Sequence, residues 1–80
     1  MNACKRCGQS IRWLRARDRA VPCVPEEVVE WVDEENLLAP EQITVYCRDG
    51  AVITGRRVSI TARTAREARG YIRHMCAKYL

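Results

Sequence analysis

The sequence predicts a small α+β protein that is rich in β-structure, and three observations support this fold class. A Cys-x-x-Cys-Gly motif opens the chain, a His-x-Cys pair nearly closes it, and an Asp-Gly dipeptide separates two runs rich in β-branched residues. With only 80 residues, the chain 1–80 is expected to form a single domain. A domain of this size buries only about 60–65% of its unfolded surface, so its core often needs a supplement.

In the N-terminal half, apolar residues, charged residues and prolines delimit the elements. The run at 11–15 predicts a short strand, and a polar turn follows at 17–19. Prolines exclude a regular helix at 22–25 and make this stretch a poor central strand, because proline cannot donate a ladder hydrogen bond. The valine-rich run at 27–32 favours a strand over a single helical turn, and 34–40 is expected to be a loop.

The clearest local signal is Asp49-Gly50, which lies between two β-rich runs and predicts a hairpin. A two-residue type I′ turn would require positive φ at both of these positions, and it would place Cys47 opposite Val52. After this hairpin, a further short strand is expected at 58–60.

A helix is predicted near the C-terminus, because Thr64-x-x-Glu67 has the spacing of a capping box. Two endings remain open. If the helix stops at Arg69, Gly70 can serve as its left-handed C-cap and the rest of the chain is extended. If it continues to the end of the chain, it carries an apolar stripe with a row of arginines beside it.

The cysteines and the single histidine leave three models open for a metal site. In the first model the ligands are Cys4, Cys7, His74 and Cys76; in the second they are Cys4, Cys7, Cys23 and Cys47; in the third there is no metal and the thiols are buried or free. The first model requires an extended segment at 74–76, because residues two apart on a helix point about 200° away from each other. Zinc joining the two ends would close a loop worth about 4 kcal/mol of unfolded-state entropy, by analogy with a disulfide.

Charge is strongly segregated along the chain, which has a net charge of +4. Residues 26–41 contain seven acidic and no basic side chains, and twelve of the fourteen cations in the chain are arginine. Arginine suits bidentate contacts with phosphate or carboxylate groups. The candidate binding residues are therefore Arg12, Arg15, Arg17, Arg56, Arg57, Arg66, Arg69 and Arg73 among the cations and Glu30, Asp33, Glu34 and Glu35 among the acids.

Taken in order, the motifs resemble those of small zinc-ribbon-like proteins from phages and prophages of Gram-positive bacteria. The segments that carry the resemblance are Cys4-Lys5-Arg6-Cys7-Gly8, Ile11-Arg12-Trp13, Val21-Pro22-Cys23-Val24-Pro25-Glu26, the hairpin from Asp49 to Gly55, and Gly70-Tyr71-Ile72-Arg73-His74. The resemblance implies a short C-terminal helix that ends at Gly70. It also implies that zinc is bound by Cys4, Cys7, His74 and Cys76.

The sequence contains no recognisable catalytic constellation, so a non-enzymatic protein is expected. Thioredoxin-like chemistry places Cys-x-x-Cys after a strand and at the start of a helix, whereas only three residues precede Cys4 here. A zinc ion held by four protein ligands has no open position for hydrolysis.

Two binding functions fit this pattern. The first is a host-directed inhibitor, for example of a bacterial defence or CRISPR nuclease complex, whose acidic block covers a nucleic-acid groove. Its partner would be a host protein or a nucleoprotein complex. The alternative is a nucleic-acid-binding zinc ribbon, although Trp13 is expected in the core rather than on a binding surface. No apolar run is long enough to span a membrane, and a bacterial cytoplasm is the expected location.

Overall fold

A computed structural model describes residues 2–35 and 42–76, and within these ranges the chain forms seven strands and no helix. The strands are β1 (Asn2–Ala3), β2 (Ser10–Ala16), β3 (Arg19–Cys23), β4 (Val28–Asp33), β5 (Gln42–Tyr46), β6 (Val52–Arg57) and β7 (Arg66–Gly70). They form two antiparallel sheets. The expected strands at 11–15 and 27–32 are confirmed, and the expected loop at 34–40 lies outside the described residues beyond Glu35. Within the described ranges, nothing forms a helix capable of crossing a membrane.

The first sheet has the strand order β1-β2-β3, and its last strand runs through a proline. Pro22 pairs with Trp13 of β2, while the Pro22 carbonyl accepts a hydrogen bond of 2.8 Å from the backbone N–H of His74. Because the N–H and C=O of one strand residue point to the same side, the donor that proline lacks would face the C-terminal segment and not β2. The expectation that 22–25 makes a poor central strand is confirmed, because β3 ends at Cys23 and is the last strand of its sheet, where Pro22 leaves the β2–β3 ladder intact.

The second sheet has the strand order β5-β6-β4-β7 and nearly closes on itself. Tyr46, at the end of β5, and Tyr71, just after β7, exchange two backbone hydrogen bonds of 2.8 and 2.9 Å. These bonds join the two outer strands at one end, so part of each sheet edge is paired rather than open. The short strand expected at 58–60 is not found; residues 58–65 form turns and irregular structure between β6 and β7.

The Asp-Gly hairpin is present, but its expected register is wrong by one residue. Tyr46, and not Cys47, lies opposite Val52. Only Gly50 has positive φ in this turn, at 93°, and its N–H donates to the Cys47 carbonyl at 3.1 Å. Asp49 stays outside the left-handed region, so the connection is a longer loop with a glycine bulge and not a two-residue type I′ turn.

The predicted C-terminal helix is wrong, since this segment is strand β7, which pairs with β4 along its length. Ala68 and Gly70 are buried, whereas Glu67 and Arg69 are exposed, and this period of two belongs to a strand. Gly70 is not a helix cap: a Cβ atom at this position would lie 2.3 Å from the carbonyl oxygen of Tyr46. The described chain is therefore all-β and not α+β.

Two clusters of buried side chains form the core. The first contains Leu14, Ala16, Val21, Cys23 and Tyr71, with Tyr46 and Val52 packed against it. The second contains Val32, Val45, Ile53 and Ala68, with Ile43, Cys47 and Ile72 packed against it. Tyr71 and Ile72 are neighbours in the chain, so the segment after β7 contributes to both clusters.

Candidate metal centre

The first half of the candidate centre is a tight loop between β1 and β2. The N–H of Cys4 donates to the Gln9 carbonyl, and the N–H of Gly8 donates to the Cys4 carbonyl, both at 2.8 Å. Gly8 has a φ of 77°, a conformation that a residue without a Cβ atom adopts at little cost. This turn directs Cys4 and Cys7 towards the same point.

The second half comes from the segment after β7, which runs antiparallel to the end of β3. Arg73 bridges to Cys23, and the flanking hydrogen bonds join His74 to Pro22 and Val24 to Ile72, each at 2.8 Å. These bonds fix His74 beside the first sheet and next to the Cys4–Gly8 loop. Because the segment is not helical, the condition for His74 and Cys76 to share a metal ion is met.

Cys4, Cys7, His74 and Cys76 converge into one cluster. One potential ligand atom from each residue lies within 4.8 Å of all the others. Within the cluster, the Cys7 Sγ atom is 3.4 Å from the His74 Nε2 atom. All four side chains are partly buried, and together they could hold a metal ion. The first of the three sequence models is therefore the one whose residues come together.

The thiols of Cys4 and Cys7 have pKa values shifted in opposite directions. The backbone N–H groups of Cys7 and Arg6 stabilise the Cys4 thiolate and lower its pKa to about 6. For Cys7 the N–H of Gln9 acts in the same direction, but burial and the thiols of Cys4 and Cys76 outweigh it and raise the pKa of Cys7. A metal ion that binds this cluster therefore meets at least one thiol that is readily deprotonated.

Cys23 and Cys47 are not part of the cluster, so the four-cysteine model is wrong. Cys23 is fully buried in the first core cluster, where its thiol lies 3.7 Å from the Val21 carbonyl. Cys47 is half-buried against the second core cluster. Burial raises the pKa of both thiols, as is expected for cysteines that act as small apolar residues.

The acidic block is bonded to arginines of the second sheet and its flanks. Within the described residues, Glu27, Glu30 and Glu34 of this block pair with Arg48 at 3.4 Å, Arg57 at 3.0 Å and Arg66 at 2.7 Å, and outside the block Glu67 pairs with Arg69 at 3.5 Å. Of the other acidic candidates, Asp33 accepts a hydrogen bond from the Glu35 N–H at 3.0 Å, and Glu35 is exposed. Much of the negative charge predicted for partner binding is therefore matched within the chain.

The arginines of the β2–β3 hairpin are arranged differently. Arg12, Arg15 and Arg17 are all exposed, and none of them forms an ion pair within residues 2–35 and 42–76. The Arg12 guanidinium lies 5.0 Å above the ring centre of Tyr71, a cation–π contact that leaves its charge uncompensated. Two further candidates lie elsewhere: Arg56 on β6 and the exposed Arg73 on the segment that follows β7.

Trp13 is the residue that sequence reasoning misplaced. It was expected in the core, yet 49% of its surface is exposed. In β2 it lies on the face opposite Leu14 and Ala16, and its ladder partner is Pro22. A large exposed aromatic side chain with an arginine, Arg15, on the same face of the strand is typical of a binding surface. Its position between Arg12 and Arg15 is the signal in the sequence that could have indicated this.

Fold and site together define a small all-β protein with a Cys₃His cluster that could hold a metal ion. No protein family, curated protein or solved structure matches this chain.

Proposed function

We propose that the chain is a zinc-stapled, non-enzymatic binding protein, and that its ligand is nucleic acid. Three thiols and one imidazole are a donor set typical of structural zinc. With Zn–S bonds of about 2.3 Å and Zn–N bonds of about 2.0–2.1 Å, a tetrahedral ion separates sulfur from nitrogen by about 3.5 Å. The distance of 3.4 Å between Cys7 Sγ and His74 Nε2 fits this value. Four protein ligands give the ion a structural role and no open position for chemistry.

The observation that supports nucleic acid as the ligand is the separation of paired from unpaired charge. Acidic residues of the second sheet are bonded to Arg48, Arg57 and Arg66, whereas the arginines of the β2–β3 hairpin have no acidic partner in the described chain. The acidic block is the main argument against a nucleic-acid reader, because free carboxylates repel phosphate. Pairing within the chain weakens that argument, and the unpaired arginines offer a cationic surface for a phosphate backbone.

Salt-dependent binding tests this proposal directly. The zinc-loaded protein is titrated with a fluorescein-labelled single strand and with a duplex at several salt concentrations. We expect affinity to fall steeply with salt, and the slope for the single strand to decrease by about 1.4 when Arg15 and Arg17 are both changed to Gln. The matched control, Arg57→Gln with Arg69→Gln, removes the same charge from ion pairs of the second sheet and should change the slope much less. Equal losses in both variants, or no binding at all, would contradict the proposal.

The second candidate function is a host-directed inhibitor, that is, a protein of phage origin that acts in the bacterial cytoplasm. The outer face of β4 favours this candidate. Val29 is 45% exposed there, next to the half-buried Trp31 and opposite Arg69 in the ladder. An apolar centre with an ion pair at its edge is the composition of a protein interface. If Val29→Asp abolishes capture of a host defence nuclease complex while nucleic-acid binding is unchanged, this candidate is correct.

A further inference from the structure

The exposed Trp13 lines two open grooves. One groove, of about 440 Å³, is lined in part by Lys5, Arg6 and His74. The other, of about 320 Å³, is lined in part by Arg12 and Pro25. Trp13 lines both grooves and is about half exposed, and cationic residues line each groove.

This arrangement suits an unpaired base better than a duplex. A planar base needs an exposed aromatic ring with free space above it, and both grooves provide such space next to Trp13. Arg15 lies two positions further along β2, on the same face as Trp13, where a phosphate that follows the stacked base can be reached. A duplex keeps its bases stacked inside and can use only the cations of this surface.

We infer that the Trp13 face is a docking surface for single-stranded nucleic acid, in which Trp13 stacks on one base and Arg15, on the same face of β2, contacts the backbone. This inference rests on the proposed nucleic-acid function and names its preferred form of substrate. The metal centre borders the same groove through His74, so the bound zinc would hold one wall of the docking surface in place.

The experiment uses the zinc-loaded full chain carrying Trp31→Phe, in which Trp13 is the only tryptophan. Titration with an oligothymidylate of twelve nucleotides should quench the Trp13 fluorescence. In the full chain, Trp13→Ala should weaken binding of the same oligonucleotide by about fivefold to a hundredfold, the range expected for loss of one stacked base. Trp13→Phe should recover part of that loss, and Trp31→Phe should bind like the unchanged protein.

Duplex binding separates this inference from the proposed function. Trp13→Ala should leave the affinity for a duplex within about twofold, because that binding depends on the arginines. If Trp13→Ala binds the single strand as well as the unchanged protein does, the docking inference is overturned while the salt-dependent function stands. If neither nucleic acid binds the unchanged protein, both fall. Zinc content and circular dichroism of each variant establish that the fold is retained.

Discussion

Removing the proposed zinc ion should destabilise the whole domain, because the four residues that would hold it come from segments far apart in the chain. Cys7 and His74 are 67 positions apart, and closing a loop of that length is worth about 4 kcal/mol of unfolded-state entropy. Zinc binding to small peptides contributes about 10–16 kcal/mol in total. A domain of 80 residues is typically stable by only about 4–12 kcal/mol, so the metal can supply much of the total.

The perturbation is His74→Ala, with chelator treatment of the unchanged protein as a second route to the same state. Loss of the loop closure alone lowers the melting temperature by about 15 °C or more, since about 1 kcal/mol corresponds to 4–8 °C in a domain of this size. Thermal unfolding followed by circular dichroism, with metal content measured on the same samples, gives the result. Adding zinc back should restore the chelated protein but not the variant.

Cys47→Ala is the matched control, because Cys47 is half-buried but lies outside the metal cluster. We expect the Cys47→Ala variant to retain one metal ion per chain and its free energy of unfolding to fall by about 1 kcal/mol, as in an ordinary core substitution. A metal-free protein that melts within a few degrees of the loaded form would refute the reasoning. So would a Cys47→Ala variant that loses its metal.

Three further perturbations test the packing around the centre. Gly70→Ala should lower the free energy of unfolding by about 2–4 kcal/mol, because the new methyl group would lie 2.3 Å from the Tyr46 carbonyl oxygen and disturb the hydrogen bonds that close the second sheet. A melting temperature equal to that of the unchanged protein would contradict this prediction. Tyr71→Phe removes a buried hydroxyl that accepts hydrogen bonds from Arg48 at 2.8 and 3.2 Å, and should lower the melting temperature by less than Gly70→Ala does. Cys23 should react with iodoacetamide only on unfolding, since it is fully buried and burial raises the pKa of its thiol; rapid labelling of the folded protein, detected by mass spectrometry, would show that this core is open.

The cluster of Cys4, Cys7, His74 and Cys76 could be predicted in part from the sequence, because metal-ligand residue types and their spacing are visible there. Cys-x-x-Cys-Gly specifies a local loop, and the loop folds as expected around Gly8. Spacing alone could not choose between His74 with Cys76 and Cys23 with Cys47, because that choice depends on which segments meet in space. The resemblance to phage zinc-ribbon proteins selected the pair that the structure brings together.

The C-terminal helix was predicted wrongly because a local sequence signal competes with pairing between strands that are distant in the sequence. Thr64-x-x-Glu67 is a local signal worth about 1 kcal/mol at most positions, whereas β7 pairs with β4 over five residues, Arg66–Gly70. The long-range partner therefore overrides the local preference. A small residue at Gly70 could have indicated this, because it allows the close approach of Tyr46. Nothing local shows that β5 would end there.

Trp13 shows why the faces of a strand are harder to assign than the strand itself. Side chains of β2 alternate between the two faces of the sheet, but apolar side chains occur on each face. Only the packing of other segments against β2 decides which of these side chains are buried. Leu14 and Ala16 enter the first core cluster, whereas on the opposite face Ile11 is buried and Trp13 is exposed. Trp13, which was expected to stabilise the core, is thus exposed and placed to contact a ligand.

The segment from Tyr71 to His74 links stability to the binding surface. At one end, Tyr71 is bonded to Tyr46 of the second sheet; at the other, His74 is bonded to Pro22 of the first sheet and enters the metal cluster. A metal ion bound at this point would anchor the end of a segment that contacts both sheets. His74 also lines the groove beside Trp13. A bond between His74 and the metal ion would therefore both stabilise the domain and fix one wall of the surface on which a base would stack. A structural metal can in this way be necessary for binding without contacting the ligand.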